Sequence, residues 1–222
     1  MKWFVSPLLF LYLELLFQSE NAVTMKRSAI VIPVILIIVA LSCTNQSKKV
    51  EKIDSEKYNT YLEKGDEISN RAQAVLLGNV SAAMKKDGPE YAVEFCNLKA
   101  SSIIDSLNRA NKSVISRVSS KNRNPDNDLK TKKEKRLWKS MAELVENGNA
   151  HDTLLMMNNQ LVYYKPIKTA LPACLNCHGD PGADIQPAVV QKINEYYPND
   201  KATGYTLNEF RGMWKIIFLN DE

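Results

Sequence analysis

The chain has 222 residues, 45% of them hydrophobic and 24% charged, with a formal net charge of +4 at pH 7. That length suits one modest domain with a targeting sequence. So mild a charge lacks the basic footprint of a nucleic-acid binder, and no nucleic-acid partner is expected.

The N-terminus holds two apolar stretches, residues 4–17 and 30–41, each short of the roughly 20 apolar residues that span a bilayer. Pro7 and Glu14 within the first argue against a membrane hairpin. The second follows Lys26 and Arg27 and runs into small residues, the order of a secretory signal. Its end, Ala40-Leu41-Ser42-Cys43, resembles a bacterial lipoprotein signal, with Ala40 where that signal more often has leucine. The resemblance implies lipidation at Cys43, a membrane anchor through that lipid, and a bacterial periplasmic location. Met25 stands directly before the basic pair and is expected to be the true start, with residues 1–24 an upstream extension of the reading frame. The leader is thus expected over 1–42, a polar tether over 43–58 and the folded domain over 59–222.

From Tyr61 the apolar positions Leu62, Ile68, Ala72, Val75, Leu76, Val80, Ala83 and Met84 fall at helical spacing. Gly88 closes that helix, and Pro89 opens a second whose apolar face runs Val93, Cys96, Ala100, Ile103, Ile104 and Leu107. Ser113–Val118 predicts a strand from its β-branched content, and residues 122–127 carry turn chemistry. A helix is expected over 130–147, with the lysine cluster at 130–136 as its solvated face and Gly148 as its stop. Residues 151–157 and 160–165 predict two strands joined by a tight turn at Asn158-Asn159, with Pro166 ending the second. A short helix over 187–197 and a last strand over 212–219 complete the chain. Helices first, then strands mixed with helices without βαβ alternation, predict an α+β fold: an antiparallel sheet flanked by helices, with long N-terminal helices.

Among these elements lies Cys174-Leu175-Asn176-Cys177-His178-Gly179, which reads as a c-type haem attachment site. On one turn of helix the two thiols can reach the two vinyl groups of one haem, and the adjacent imidazole can bind the iron as proximal ligand. One covalent haem c is therefore expected on Cys174 and Cys177, with His178 on the iron. A structural zinc site wants four ligands, usually as two separated pairs, and no second pair with that spacing exists. A thioredoxin-like dithiol wants a strand before and a helix after. Here Pro172 precedes and Gly179-Asp180-Pro181-Gly182 follows, which predicts a loop. Cys96 is left alone, and a spare thiol in an oxidising compartment is a liability unless buried or used.

The order of these features resembles the PAS-like haem-c domain family. The matching pieces are residues 92–96, 119–127, 164–167, 174–179 and 197–205, followed by Arg211-Gly212, and they span most of the chain from about Tyr61. One departure is Asn208-Glu209, where that family is expected to carry Gly and an acid. The resemblance implies a PAS-like fold and an iron held by His178 as proximal and Cys96 as distal ligand. The competing reading of Cys96 is a small core hydrophobe, and the competing donors are His151, Met156, Met157 and Met213. Arg123 has two readings, a partner for a haem propionate or a structural loop arginine. Tyr164, Tyr197 and Tyr205 either wall the haem or fill the core.

The function expected from these features is redox sensing or one-electron transfer by an exported, membrane-anchored haem protein, with a redox or signalling partner the sequence does not name. No catalytic constellation is visible, so an enzyme is not expected. The alternatives are a gas-binding haem sensor with a displaceable sixth ligand, and an ordinary His/Met electron-transfer cytochrome.

Overall fold

The computed structural model describes residues 53–219. Cys43, the leader and most of the tether lie outside the described residues. Among the described residues no helix is long and apolar enough to cross a membrane.

Asp54 caps the first helix, its carboxylate accepting from the N–H groups of Glu56 (3.2 Å) and Lys57 (3.3 Å). The two predicted N-terminal helices form one element, α1 (Ser55–Asn111), kinked at Asp87 (φ −155°) and Gly88 (φ 77°). Pro89 has no N–H to continue the ladder and keeps the preceding residue out of the helical region. A positive φ at that residue favours glycine. α1 ends at Lys112 in the left-handed region (φ 46°), and β1 (Ser113–Val118) begins at once.

A short 3-10 turn (Pro125–Asn127) leads to α2 (Lys132–Glu146). Thr131 and Glu134 form a reciprocal capping box at its start. β2 (Thr153–Met157) and β3 (Gln160–Lys168) follow. They are joined through Asn158 (φ 50°) and Asn159 (φ 60°), the paired positive φ of a tight hairpin turn. α3 (Pro172–His178), α4 (Pro187–Tyr196) and β4 (Phe210–Phe218) complete the described chain.

Two expectations are corrected. Pro166 does not end β3 but pairs with Met213 inside it. It lies beyond Tyr164, where β2 has already ended, so β3 is paired on one side only and a missing N–H is tolerated. The haem motif is not a loop either. It forms α3, with Pro172 at the start, where its missing N–H would be unpaired anyway.

The four strands form one antiparallel sheet in the order β1-β4-β3-β2. α1 covers one face, where Ile68 and Leu76 pack with Ile115, Tyr163, Trp214 and Ile216. α2 covers the other, with Met141 against Val118, Val162 and Met213. A third cluster joins Val93, beyond the kink, to Ile185, Val189 and Ile193 around α4, with Cys177 against it. The fold is α+β, and the kinked α1 leaves its second half facing the haem-motif helix across a cavity.

Candidate functional site

The seven-residue α3 carries Cys174, Cys177 and His178 on little more than one turn, held by bonds such as Gly179 N–H to Leu175 O at 2.9 Å. Its exit is tightly fixed. A Cβ on Gly179 would stand 2.5 Å from the Asp184 side chain, so the glycine after the histidine is a packing requirement. The chain then docks against residues 202–205: Gly204 N–H donates to Gly179 O (2.7 Å) and Tyr205 N–H to His178 O (2.9 Å).

That docking orients the imidazole. His178 Nδ1 lies 2.7 Å from the Ala202 carbonyl. A carbonyl only accepts, so Nδ1 carries the hydrogen, and Nε2 is the ring nitrogen with a free lone pair. Tyr205 packs edge-on against the ring, centroids 6.3 Å apart. Burial, with Arg211 and Arg123 adding positive charge, pushes the His178 pKa well below its usual value despite the Ala202 bond. The imidazole is therefore neutral at pH 7, the form that ligates metals.

All three motif side chains line one cavity of about 1010 Å³ between α1, β1, α3 and the start of β4, at the top of the range of about 300–1,000 Å³ typical of ligand pockets. Leu76, Val93, Ile103, Ile115 and Ile167 give it apolar walls. Cys96 lines it from the second half of α1, half-buried. Burial pushes the Cys96 thiol up while the Arg117 and Arg123 charges pull it down. Cys96, Cys174 and Cys177 form no disulfide with one another. Among the described residues no group of three or more His, Cys, Asp and Glu could hold a metal ion, so the motif lacks the protein partners a four-ligand zinc site needs.

The other candidate donors separate. His151 is exposed, 3.0 Å through Nδ1 from Asn149 O, and outside the cavity lining. Met156 packs in the core under α1, and Met157 and Met213 in the core under α2. Met84, which the sequence reading took only as a helix-face residue, is the other sulfur donor lining the cavity. Of the tyrosines, Tyr197 lines it, Tyr205 braces His178, and Tyr164 is on the far side of the sheet, bonded to Glu134.

Arg123 reaches the cavity wall, but its guanidinium is already engaged. Its Nε and an Nη pair with the Asp200 carboxylate at 3.2 Å, and the same Nη donates to the Cys177 carbonyl at 2.6 Å. Asp200 also accepts from Ala202 N–H at 2.9 Å. Arg123 thus ties α3 to the segment whose carbonyl orients His178. Sequence reasoning missed Asp200 because the contact spans 77 positions. It also missed two more lining arginines, Arg117 and Arg211. The available signal was a lone cation in the β-branched run Ser113–Val118.

A family model described as Tll0287-like matches residues 35–218. No curated protein matches the sequence. Among solved structures, the crystal structure of the cyanobacterial heme-protein Tll0287 superposes with a TM-score of 0.55, covering 73% of this chain and 97% of that one at 19% identity. A likeness at that identity establishes a shared fold.

Proposed function

This chain belongs to the Tll0287-like family, and from that premise we propose that it is a c-type haem protein acting in redox sensing or one-electron transfer, rather than an enzyme. The observation that carries the reading is the motif helix itself. Its two thiols and a neutral, carbonyl-oriented imidazole line a single large apolar cavity. The donor set fits the group: a haem needs two thiols at this spacing, one imidazole beside them and apolar walls for its faces. The solved relative is by its description a heme-protein, the same ligand class.

When bound, the haem supplies an iron that exchanges single electrons. Cys174 and Cys177 would hold it as thioethers, each thiol contributing its sulfur and its hydrogen to one vinyl group with no oxidant needed. His178 offers Nε2 as proximal ligand, and the Ala202 carbonyl fixes its tautomer and raises its basicity. Cys96 would be the second protein ligand to the iron, in keeping with the PAS-like haem-c resemblance and with its position in the same cavity. Thiolate ligation favours the ferric state and a low potential. The lipid on Cys43 would hold the domain at a membrane in the periplasm, within reach of a redox or signalling partner.

Optical and electron-spin spectra recorded through a redox titration test this. The ferric protein is expected to be low-spin with thiolate features, and Cys96→Ala to keep its haem but lose those features and raise the potential. An unchanged spectrum in Cys96→Ala would make Cys96 a core residue and leave Met84 as the lining sulfur. Fast, tight carbon monoxide binding by the ferrous protein would instead favour the gas-sensor reading.

A further inference from the structure

The cavity carries more positive charge than the fold neutralises. Three guanidiniums, Arg117, Arg123 and Arg211, line it. Among the described residues only Arg123 of the three has a carboxylate partner, Asp200. Arg117 is exposed, yet it belongs to the cavity lining, and the protein around it desolvates the charge enough to lower its pKa. Among the described residues it has no hydrogen-bond or ion-pair partner; it lies over the Trp214 ring, Cζ 6.0 Å from the centroid, and its charge acts on Cys96 and Tyr197.

Arg211 is half-satisfied. One Nη donates to Ser119 Oγ (3.1 Å) and the Lys121 carbonyl (3.0 Å), and the guanidinium lies 5.2 Å from the Tyr205 ring centroid. Its Nε is buried with no partner. Burial, with the Arg123 and Arg117 charges adding to it, disfavours the charged form of Arg211. Leaving a buried guanidinium N–H unpaired, as at Arg211 Nε, is costly, and a planar fork of donors is the preferred partner of a carboxylate.

We propose that Arg117 and Arg211 form a clamp for a ligand bearing two carboxylates, and, resting on the haem reading above, that these are the two propionates. The role considered for Arg123 then passes to its two neighbours, while Arg123 stays a brace for the motif helix. The clamp also explains a charged residue on the α1-facing side of β1, opposite Trp214 in the register.

The test uses the full chain with Cys174→Ala and Cys177→Ala, prepared without haem, and two probes, haem and its dimethyl ester. The probes differ only in the two carboxylates. Haem is expected to bind more tightly than its ester by about tenfold or more, as for charge-assisted hydrogen bonds. Arg117→Gln should reduce that preference by about tenfold, and Arg117→Lys should restore part of it. Lys139→Gln, an exposed charge on α2 across the sheet, should leave it unchanged. An undiminished preference in Arg117→Gln overturns the clamp while leaving the haem reading intact. Failure to bind either probe overturns the haem reading and the clamp with it. Arg211→Gln also breaks bonds to Ser119 and Lys121, whereas Arg117→Gln breaks no hydrogen bond of the protein, so the latter carries the test. On the covalently loaded protein, Arg117→Gln should shift the propionate bending bands in resonance Raman spectra, and unshifted bands would contradict the clamp.

Discussion

Glu134→Ala is expected to lower the stability of the fold by about 3 kcal/mol, read from urea unfolding midpoints. That is the lower end of the range of about 3–5 kcal/mol for breaking a buried ion pair, because the Lys215 side chain keeps 17% exposure while that of Glu134 has none. The carboxylate is a hub. One oxygen accepts from Lys215 Nζ and from the Tyr164 hydroxyl (3.0 Å), and the other from the N–H groups of Lys130 (2.9 Å) and Thr131 (3.1 Å). It therefore fastens the start of α2 to β3 and β4 at once. A loss below about 1 kcal/mol, the worth of an exposed pair, would contradict the buried hub.

The same group sets a pH dependence. Burial alone would raise the Glu134 pKa above its ordinary 4.5, but the bonds from Lys215, Tyr164 and the Lys130 amide outweigh it and leave it lowered. A carboxyl lower in the folded than in the unfolded chain contributes fully above the unfolded value, and the contribution is lost as pH falls through the folded one. The stability gap between the native chain and Glu134→Gln should therefore be constant above about pH 5.5 and shrink as the pH falls below about 4.5. A gap that widens on acidification would reverse the assigned sign.

Gly65→Ala is the second large effect, and local propensity predicts its sign wrongly. In a helix interior alanine is favoured over glycine by about 1 kcal/mol. Here a Cβ at position 65 would stand 2.3 Å from Cγ of Tyr163. That ring is fully buried, its hydroxyl is bonded to Asp152, and its strand neighbours Leu154 and Ile216 flank it. It cannot move aside, so α1 must lift from the sheet. Overpacking costs about 1–3 kcal/mol, and the close approach to Tyr163 puts this case at the upper end, so the net destabilisation is about 2 kcal/mol once the propensity gain of about 1 kcal/mol is subtracted. A stabilised Gly65→Ala would mean that α1 is not seated on Tyr163.

The sequence carried those features whose cause is local. The β-branched run at 113–118 is β1 residue for residue, Asn158-Asn159 makes the hairpin, and Gly88-Pro89 breaks the long helix. The motif residues came together in one cavity, with Cys96 added from a helix 78 positions upstream of Cys174. What escaped is long-range. The stretch 130–136 reads as a solvated charged face, and its lysines are exposed, but Glu134 within it is buried because β3 and β4 bring Tyr164 and Lys215 to it. Pro166 marks no strand end, since β2 stops first. Arg123 offers no hint that Asp200 claims it. Arg117 and Arg211 line one cavity because β1 pairs with β4.

Covalent attachment of haem through α3 is read from the mass of the intact chain after denaturation. Protein made in cells that attach haem to exported chains is expected to carry the mass of one haem beyond the polypeptide after unfolding, with Cys174 and Cys177 closed to alkylation. Cys174→Ala/Cys177→Ala should run at the polypeptide mass alone. A native chain at the polypeptide mass, with both motif thiols open to alkylation, would contradict the account.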